Sequence, residues 1–232
     1  MDNLNQNLPT HIGIIIDGNR RWAKARNLPS FAGHKKGMER IEEIIKYACE
    51  IGIQVITLYA FSTENWKRTQ KEVTYLLQIF ESFAINKIQE INALNIKVRA
   101  IGSTDKFPPS LQAAIRNAEE TTENNTRMIV NVALNYGGRD EIVRAFKKIA
   151  SSNMPASEIT EELISQNLDT AGLPDPDFII RTSGEQRLSN FLTWQSIYSE
   201  LYFPKVLWPD FTVDCFKEAL VEFQNRQRRM GK

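Results

Sequence analysis

Arginines and carboxylates recur in this sequence where apolar runs end, and that combination suits the chemistry of phosphate esters. The run His11–Asp17 (HIGIIID) leads into Gly18-Asn19-Arg20-Arg21-Trp22. Gln54–Phe61 (QVITLYAF) is followed by Ser62-Thr63-Glu64-Asn65-Trp66-Lys67-Arg68. Met128–Leu134 (MIVNVAL) leads into Asn135-Tyr136-Gly137-Gly138-Arg139, and the run around Phe178–Ile180 into Arg181-Thr182-Ser183-Gly184-Glu185-Gln186-Arg187. Only Ile96–Ile101 (IKVRAI) ends less distinctively, in Gly102-Ser103-Thr104-Asp105. Small residues let backbone N–H groups approach a ligand, and helix starts favour anions. Guanidinium forks match phosphate oxygens. Asp17, Glu64, Glu185 and Glu200 offer oxygens to a hard cation. Magnesium takes one or two carboxylates, several waters and the substrate's phosphates. Converging arginines with few carboxylates therefore point to a magnesium–diphosphate site.

Each residue alone has an ordinary structural reading. Asp17 serves equally well as a turn residue. Arg20 and Arg21 fit a solvated face, Gly137-Gly138 a turn, and His34 after Gly33 a helix start. Their gathering at one sheet edge carries the functional reading. Missing motifs narrow the class. The chain has no G-x-x-x-x-G-K-[ST] phosphate loop, no G-x-G-x-x-G after its first run and no G-x-S-x-G elbow. With only His11 and His34, nothing in the sequence supports a histidine-rich zinc site.

The elements that must position these residues are legible as alternating patterns. The five apolar runs are continuous rather than alternating, as strands buried on both faces are. Between them lie helical spacings: Ile41, Ile44, Ile45 and Ala48 before a stop at Gly52; Val73 to Ala84 in a segment ending near Asn95; Pro108 to about Thr122. Further helices are expected over Asp140–Ala150, with Ile142, Val143, Phe146 and Ile149 on one face, over Pro155–Leu168, and over Thr212–Arg229 with Thr212 as N-cap. Strands alternating with helices imply right-handed crossovers and a mostly parallel central sheet flanked by helices, an α/β fold. In such sheets ligands bind beyond the carboxyl ends of the strands.

The 232 residues contain no linker-like tract, so one domain is expected, with a core from about 10 to 231 and a flexible tail over 1–9. A net charge of +1 supplies no general field for nucleic acid. Cys49 and Cys215 lack ligand spacing and read as reduced. The polar N-terminus and short apolar runs suggest neither signal peptide nor membrane span, and a cytoplasmic protein is expected.

The blocks HIGIIIDGNRRWAK, GHKKG, LYAFSTENWKR, LNYGGRDEI, RTSGEQRLSNFLTWQSIYSELYF and LWPDF follow one another from about Thr10 to Gly231. In order and spacing they resemble the cis-prenyltransferase family, most closely its bacterial undecaprenyl diphosphate synthases. The resemblance implies a magnesium-dependent enzyme. It would elongate an allylic diphosphate, commonly farnesyl diphosphate, with isopentenyl diphosphate to a long cis-polyprenyl diphosphate. That product would be undecaprenyl diphosphate, a lipid-carrier precursor for cell-wall synthesis. It further implies a homodimer with loose peripheral contact to membrane and no nucleic-acid partner. Asp17 matches the essential metal-binding aspartate, and Glu200 the second metal ligand. Gly18, Asn19, Arg20, Arg21, Trp22 and His34 match the allylic-diphosphate loop. Ser62, Thr63, Glu64 and Trp66 match a second substrate block, with Arg68 just after it. Asn65 matches the residue assigned to proton transfer, where an amide would position a water or diphosphate rather than act as base. Arg181, Arg187, Leu188 and Ser189 match the isopentenyl diphosphate site.

Three positions depart from the family pattern. Ser30 stands where many members have a diphosphate-binding arginine, although its hydroxyl can still donate to substrate. Arg20 replaces a common glycine, and Gln186 a histidine near the metal. A growing chain would need a dry tunnel, for which Leu76, Leu77, Phe80, Phe83, Ala84, Ile44 and Ile45 are candidates beside their ordinary role as core. The basic stretch Arg226–Lys232 suits a helix end, lipid headgroups, or an Arg229-Met230-Gly231 element reaching a partner. Rival readings are a non-catalytic subunit of this fold, which would lack the aspartate and arginine blocks, an enzyme of short or irregular products, and an RNA binder, which no basic excess supports.

Overall fold

Six parallel strands form one sheet in the order β3-β4-β2-β1-β5-β6. They are β1 (His11–Ile15), β2 (Val55–Ser62), β3 (Ile96–Ile101), β4 (Met128–Tyr136), β5 (Phe178–Arg181) and β6 (Glu200–Tyr202). The structure is a computed structural model that describes residues 7–152 and 154–226. The residues before 7 and the basic ones after Arg226, with Arg229-Met230-Gly231, lie outside the described residues.

Continuous apolar runs became central strands because both faces are covered: β1 and β5 are buried along their whole length. Against the sheet pack α1 (Asn19–Ala25), α2 (Ser30–Ile51), α3 (Gln70–Asn86), α4 (Ile88–Ala93), α5 (Pro109–Thr121), α6 (Gly138–Ser151), α7 (Glu161–Asn167) and α8 (Val213–Gln224). Gly52 ends α2 as expected, in the left-handed region at φ 91°. The hydroxyls of Thr69, Thr160 and Thr212 accept from the backbone N–H three residues on, capping α3, α7 and α8.

Some expectations need correction. The long helix over 73–95 is interrupted at Lys87, where φ −108° and ψ −10° separate α3 from α4. The segment from Pro155 forms a short 3₁₀ turn, Ala156–Glu158, before α7 begins. β6 and α1 had no sequence signal recognised above, and α2 begins at Ser30, ahead of the helix start read at His34. On α6 the buried residues are Gly138, Glu141, Ala145 and Ile149, whereas Val143 and Phe146 are 51% and 49% exposed. Of the expected stripe, Ile149 is buried and Ile142 half-buried, while the other two are turned to the surface.

The chain leaves β1 toward β2 on one side and leaves β5 toward β6 on the other. The order therefore reverses between β1 and β5, where open sheets leave a crevice at the strands' carboxyl ends. In register, Ile15 of β1 faces Arg181 of β5. Beyond this pair Asp17 lines the crevice, while Thr182 is buried.

Candidate active site

Adjacent strand ends bring Asp17 and Arg181 together. Arg181 Nη2 donates to Asp17 Oδ2 at 2.9 Å. Its Nη1 donates to the Arg187 carbonyl at 2.5 Å and to Ser189 Oγ at 2.7 Å. Arg21 donates to Asp17 Oδ1 at 3.4 Å, to Ser183 Oγ, and to Glu185 at 3.3 Å. The Asp17 backbone is pinned as well: its carbonyl accepts from Thr182 Oγ1 at 2.6 Å and from Trp208 N at 3.0 Å. Burial works to raise the Asp17 carboxyl, but Arg181, then Arg21 and Ser183, outweigh it and hold the group below the ordinary range. Asp17 is thus an anion. Gly18 follows at φ 115°, and a Cβ there would lie 3.0 Å from the Leu207 backbone, so the turn requires glycine.

A cavity of about 550 Å³ opens on this pair, with Asp17, Asn19, His34, Ser62, Glu64, Asn65, Arg68, Arg181 and Ser189 in its walls. An adjoining hollow carries Gly18, Arg20, Arg21, Ser30, His34 and Arg68, and another carries Glu64, Arg139, Leu188 and Asn190. Most of the expected substrate residues therefore share one rim. Asn65 Oδ1 accepts from Ser62 N at 3.1 Å within a reciprocal cap of the turn Thr63–Lys67. What Asn65 has left for a ligand is its amide N–H₂, a donor rather than a base. Thr63 opens that turn, and its Oγ1 lies beside Gly137.

Four expected residues stand elsewhere or behind the rim. Trp66 is a wall support: its Nε1 donates to Asn135 Oδ1 at 2.7 Å and its ring packs on Phe61 and Phe107. Trp22 turns toward the chain after β6, donating to Asp210 Oδ1 at 2.7 Å beneath the Arg26 guanidinium. The Arg187 side chain is 60% exposed and pairs with Glu185. Glu200 needs the firmest correction. It faces Phe178, which faces Ile12, so it lies level with the start of β1. Roughly 10 Å of strand separates Ile12 from Ile15 alone, and Asp17 lies further on. Glu200 instead pairs with Arg226 at 3.0 Å. Within one chain it cannot share a metal with Asp17.

Other residues at the rim escaped the sequence reading. Glu72, on α3, draws together Arg68 (2.9 Å), His34 (3.5 Å) and Arg20 (3.8 Å). Arg68 lies ahead of α3 in extended backbone, so no helical spacing announced this pair. Burial, then the nearby Arg68, holds His34 below the usual histidine range despite Glu72, leaving a neutral imidazole. Asn190 donates to Glu64 at 3.3 Å and accepts from Arg139 N at 2.9 Å. Ser183, Ser189, Asn190 and Leu192 all have positive φ, and non-glycine residues hold such angles only where their surroundings over-determine them.

A second, apolar cavity of about 90 Å³ shares Met38, Ala60 and Phe80 with the first and runs between α2, α3, α5 and the sheet. Ile45, Phe83 and Ala84 line it, and Leu76 lines the polar cavity. Ile44 and Leu77 belong to the packed core instead. A polar, cation-rich mouth thus opens directly into a dry interior.

For a divalent cation, the donor set fits in one respect. Asp17 presents an ionised carboxylate at the cavity wall, 30% exposed. Among the described residues no group of three or more histidine, cysteine, aspartate or glutamate side chains could hold a metal. A cation here would be held by one protein carboxylate and otherwise by water and substrate phosphate, as magnesium commonly is.

Residues 15–231 match a family model described as "Putative undecaprenyl diphosphate synthase". An isoprenyl transferase of Geobacillus kaustophilus is 50% identical over 97% of this chain and 89% of its own length. One from Streptococcus pneumoniae is also 50% identical, over 97% and 92%. Among solved structures, lavandulyl diphosphate synthase from Lavandula x intermedia, in complex with dimethylallyl diphosphate, superposes with a TM-score of 0.94. It is 37% identical, over the whole of both chains. A probable undecaprenyl diphosphate synthase from Campylobacter jejuni superposes at 0.82, with 33% identity over 98% of this chain and 100% of its own.

Proposed function

The chain belongs to the cis-prenyltransferase family, as a bacterial-type isoprenyl transferase, and from that premise we propose that it condenses isopentenyl diphosphate with an allylic diphosphate, farnesyl diphosphate foremost. The product would be a long cis-polyprenyl diphosphate, undecaprenyl diphosphate, made in the cytoplasm as a precursor of cell-wall lipid carriers. The observation that carries this reading is the Asp17–Arg181 pair, set where an arginine-lined rim meets an apolar cavity.

In the reaction the allylic C1–O bond breaks and diphosphate leaves with its electrons. The isopentenyl double bond attacks C1, and a proton then departs from the isopentenyl C2 to restore a double bond of cis geometry. Magnesium held by Asp17 would neutralise charge on the departing diphosphate. Gly18 and Asn19 bring backbone N–H groups to the allylic diphosphate, with Arg20, Arg21, Ser30, His34 and Arg68 around it. Arg181 and Ser189, with Arg187 swung inward from its exposed position, bind the isopentenyl diphosphate. Preorganised donors stabilise most the charge that grows in the transition state. Asn65, as a donor, orients the diphosphate or water that receives the proton. Ser62, Thr63 and Glu64 shape that side of the rim, and Trp66 supports it from behind.

The whole chain acts as one domain in this reading. Exposed Val143 and Phe146 on α6, with Ile197 and Tyr198 at 71% and 76% exposure, suit the face of a homodimer. No helix among the described residues is long and apolar enough to cross a membrane, so contact with lipid would be peripheral.

The test incubates purified protein with labelled isopentenyl diphosphate, magnesium and starters from geranyl to geranylgeranyl diphosphate, sizing products after dephosphorylation. Absence of growth from every starter refutes the reading. A single short or branched product would favour the alternative raised by the likeness to lavandulyl diphosphate synthase.

A further inference from the structure

From Gly18 to Met38 the chain carries Arg20, Arg21, Lys24, Arg26, Lys35 and Lys36 and no acidic residue. Arg20 approaches Glu72, Arg21 pairs with Asp17 and Glu185, Arg26 with Asp210, and Lys36 with Glu39. Lys24 and Lys35 are exposed and form no ion pair with any described residue. Every residue from Lys24 to Phe31 is exposed, Leu28 to 44% and Phe31 to 52%.

The ridge is a built turn. Leu28 N donates to the Ala23 carbonyl at 2.9 Å, Asn27 turns the chain at φ 55°, and Pro29 leads into α2 in extended backbone. Phe31 packs edge-on against Tyr75 of α3, with ring centroids 5.6 Å apart, and Tyr75 Oη donates to the Phe31 carbonyl at 3.4 Å. Residues four apart on a helix share a face, so Lys35 stands beside Phe31 and Lys71 beside Tyr75. Lys71 too is exposed and has no ion pair with a described residue. The one acid in the first turn of either helix, Glu72, is 13% exposed and already engaged by Arg68, His34 and Arg20.

Apolar tips among unpaired lysines suit the headgroup layer of a bilayer. The tips enter the acyl boundary while the lysine stems carry their charges to the phosphates. Tyr75, a polar tip on an apolar ring, suits the same layer. A ridge with every residue exposed offers no pocket to a peptide or a nucleotide base, whereas mobile headgroups mould to it. We propose that this ridge, Leu28, Phe31 and Tyr75 with Lys24, Lys35 and Lys71, docks the protein on an anionic lipid surface. Lys24 and Leu28 share the walls of one hollow with Arg20 and Arg21. Docking therefore sets that hollow at headgroup level, where a lipid diphosphate would arrive or leave. The docking stands on the ridge itself, and its service to lipid diphosphates rests on the elongating activity proposed above.

Sedimentation of the full chain with vesicles reads the docking without turnover. Binding is expected to vesicles of phosphatidylcholine with about a third phosphatidylglycerol, and not to phosphatidylcholine alone. Lys35→Gln and Lys71→Gln should each weaken it about fivefold, the worth of one cation near such a surface. Phe31→Ser should weaken it at least as much, and cooperative urea unfolding shows that the three variants fold. Raising salt from about 0.1 to about 0.5 M narrows the gap between the parent and the lysine variants. Equal binding to neutral and anionic vesicles, or unchanged binding by all three variants, overturns the proposal. So does loss of binding in Arg228→Gln with Arg229→Gln when the ridge variants bind normally, which gives the contact to the basic chain end. Binding of an oligonucleotide but of no vesicle, lost in the same ridge variants, assigns the ridge to nucleic acid and overturns it as well. Absence of elongation by the parent removes the service to lipid diphosphates and leaves the docking standing.

Discussion

Replacing Arg181 by lysine keeps the positive charge but removes the fork that organises the rim. The guanidinium is buried, with its side chain 6% exposed, and serves three acceptors at once: Asp17 Oδ2, the Arg187 carbonyl and Ser189 Oγ. A lysine ammonium is a compact charge on a different geometry and cannot span all three. Losing one charge-assisted hydrogen bond costs about 1.5–3 kcal/mol. The native state should lose about that much, since Asp17 keeps partial access to water. The loss at the transition state is expected to be larger in effect, because the loop bearing Ser189 and Asn190 is held in left-handed conformations that Arg181 helps to impose. Removal of one preorganised donor of this kind typically costs about 10²–10³ in rate. For Arg181→Lys, kcat/KM for isopentenyl diphosphate is expected to fall by about that factor, and the urea midpoint to drop. Steady-state kinetics with each substrate varied in turn, beside urea titration, separates the two effects. A folded variant whose kcat/KM stays within about threefold of the parent, under 1 kcal/mol, refutes the role given to this fork.

Other perturbations test neighbouring parts of the argument. Asp17→Ala should lower turnover by orders of magnitude at every magnesium concentration while unfolding stays cooperative; near-normal activity would show that the carboxylate is only a turn residue. His11 is held neutral by burial, its pKa lowered to about 4 although Pro174 accepts a hydrogen bond from its ring. Between 6.5 and about 4 the unfolded chain binds a proton that the native state does not, so stability should fall as pH drops through that window, by roughly 3 kcal/mol in all. Urea titrations spanning it, with His11→Gln as the control that flattens the slope, provide the check, and a parent slope no steeper than the variant's would contradict the buried neutral ring. Gly33→Ala would set a Cβ 2.0 Å from the Asn19 carbonyl oxygen, a backbone atom that cannot turn aside. Overpacking of about 1–3 kcal/mol is expected, together with a raised KM for the allylic substrate as α1 is pushed off α2. An unchanged KM would mean that Asn19 does not position that substrate.

The central strands and the loops after them were legible in the sequence because one physical cause set both. A strand covered on two faces must be apolar throughout, and the first polar residues after it must lie in the crevice. Asp17 and Arg181 followed from that pattern without knowledge of any contact. Pattern fails where partners are decided by register or by tertiary neighbours. Glu72 looks like any helix-surface glutamate until Arg20, His34 and Arg68 converge on it. Val143 and Phe146 share an apolar stripe with Ile149, but periodicity reports that a face is apolar and not what covers it.

Glu200 shows the limit most sharply. Its strand has three residues, too few for any periodicity, and runs at the edge of the sheet. A matched motif puts a carboxylate in the right order along the chain, yet the parallel pairing of β6 with β5 fixes its height against the sheet. That height is level with Ile12, below the crevice, and its oxygen is already engaged by Arg226. For Glu200 to meet a cation at Asp17 of the same chain, β6 would have to slide along β5 by several residues, breaking every pairing it makes. Its carboxylate is therefore free to matter only to groups that approach this end of the sheet from outside the chain's own crevice.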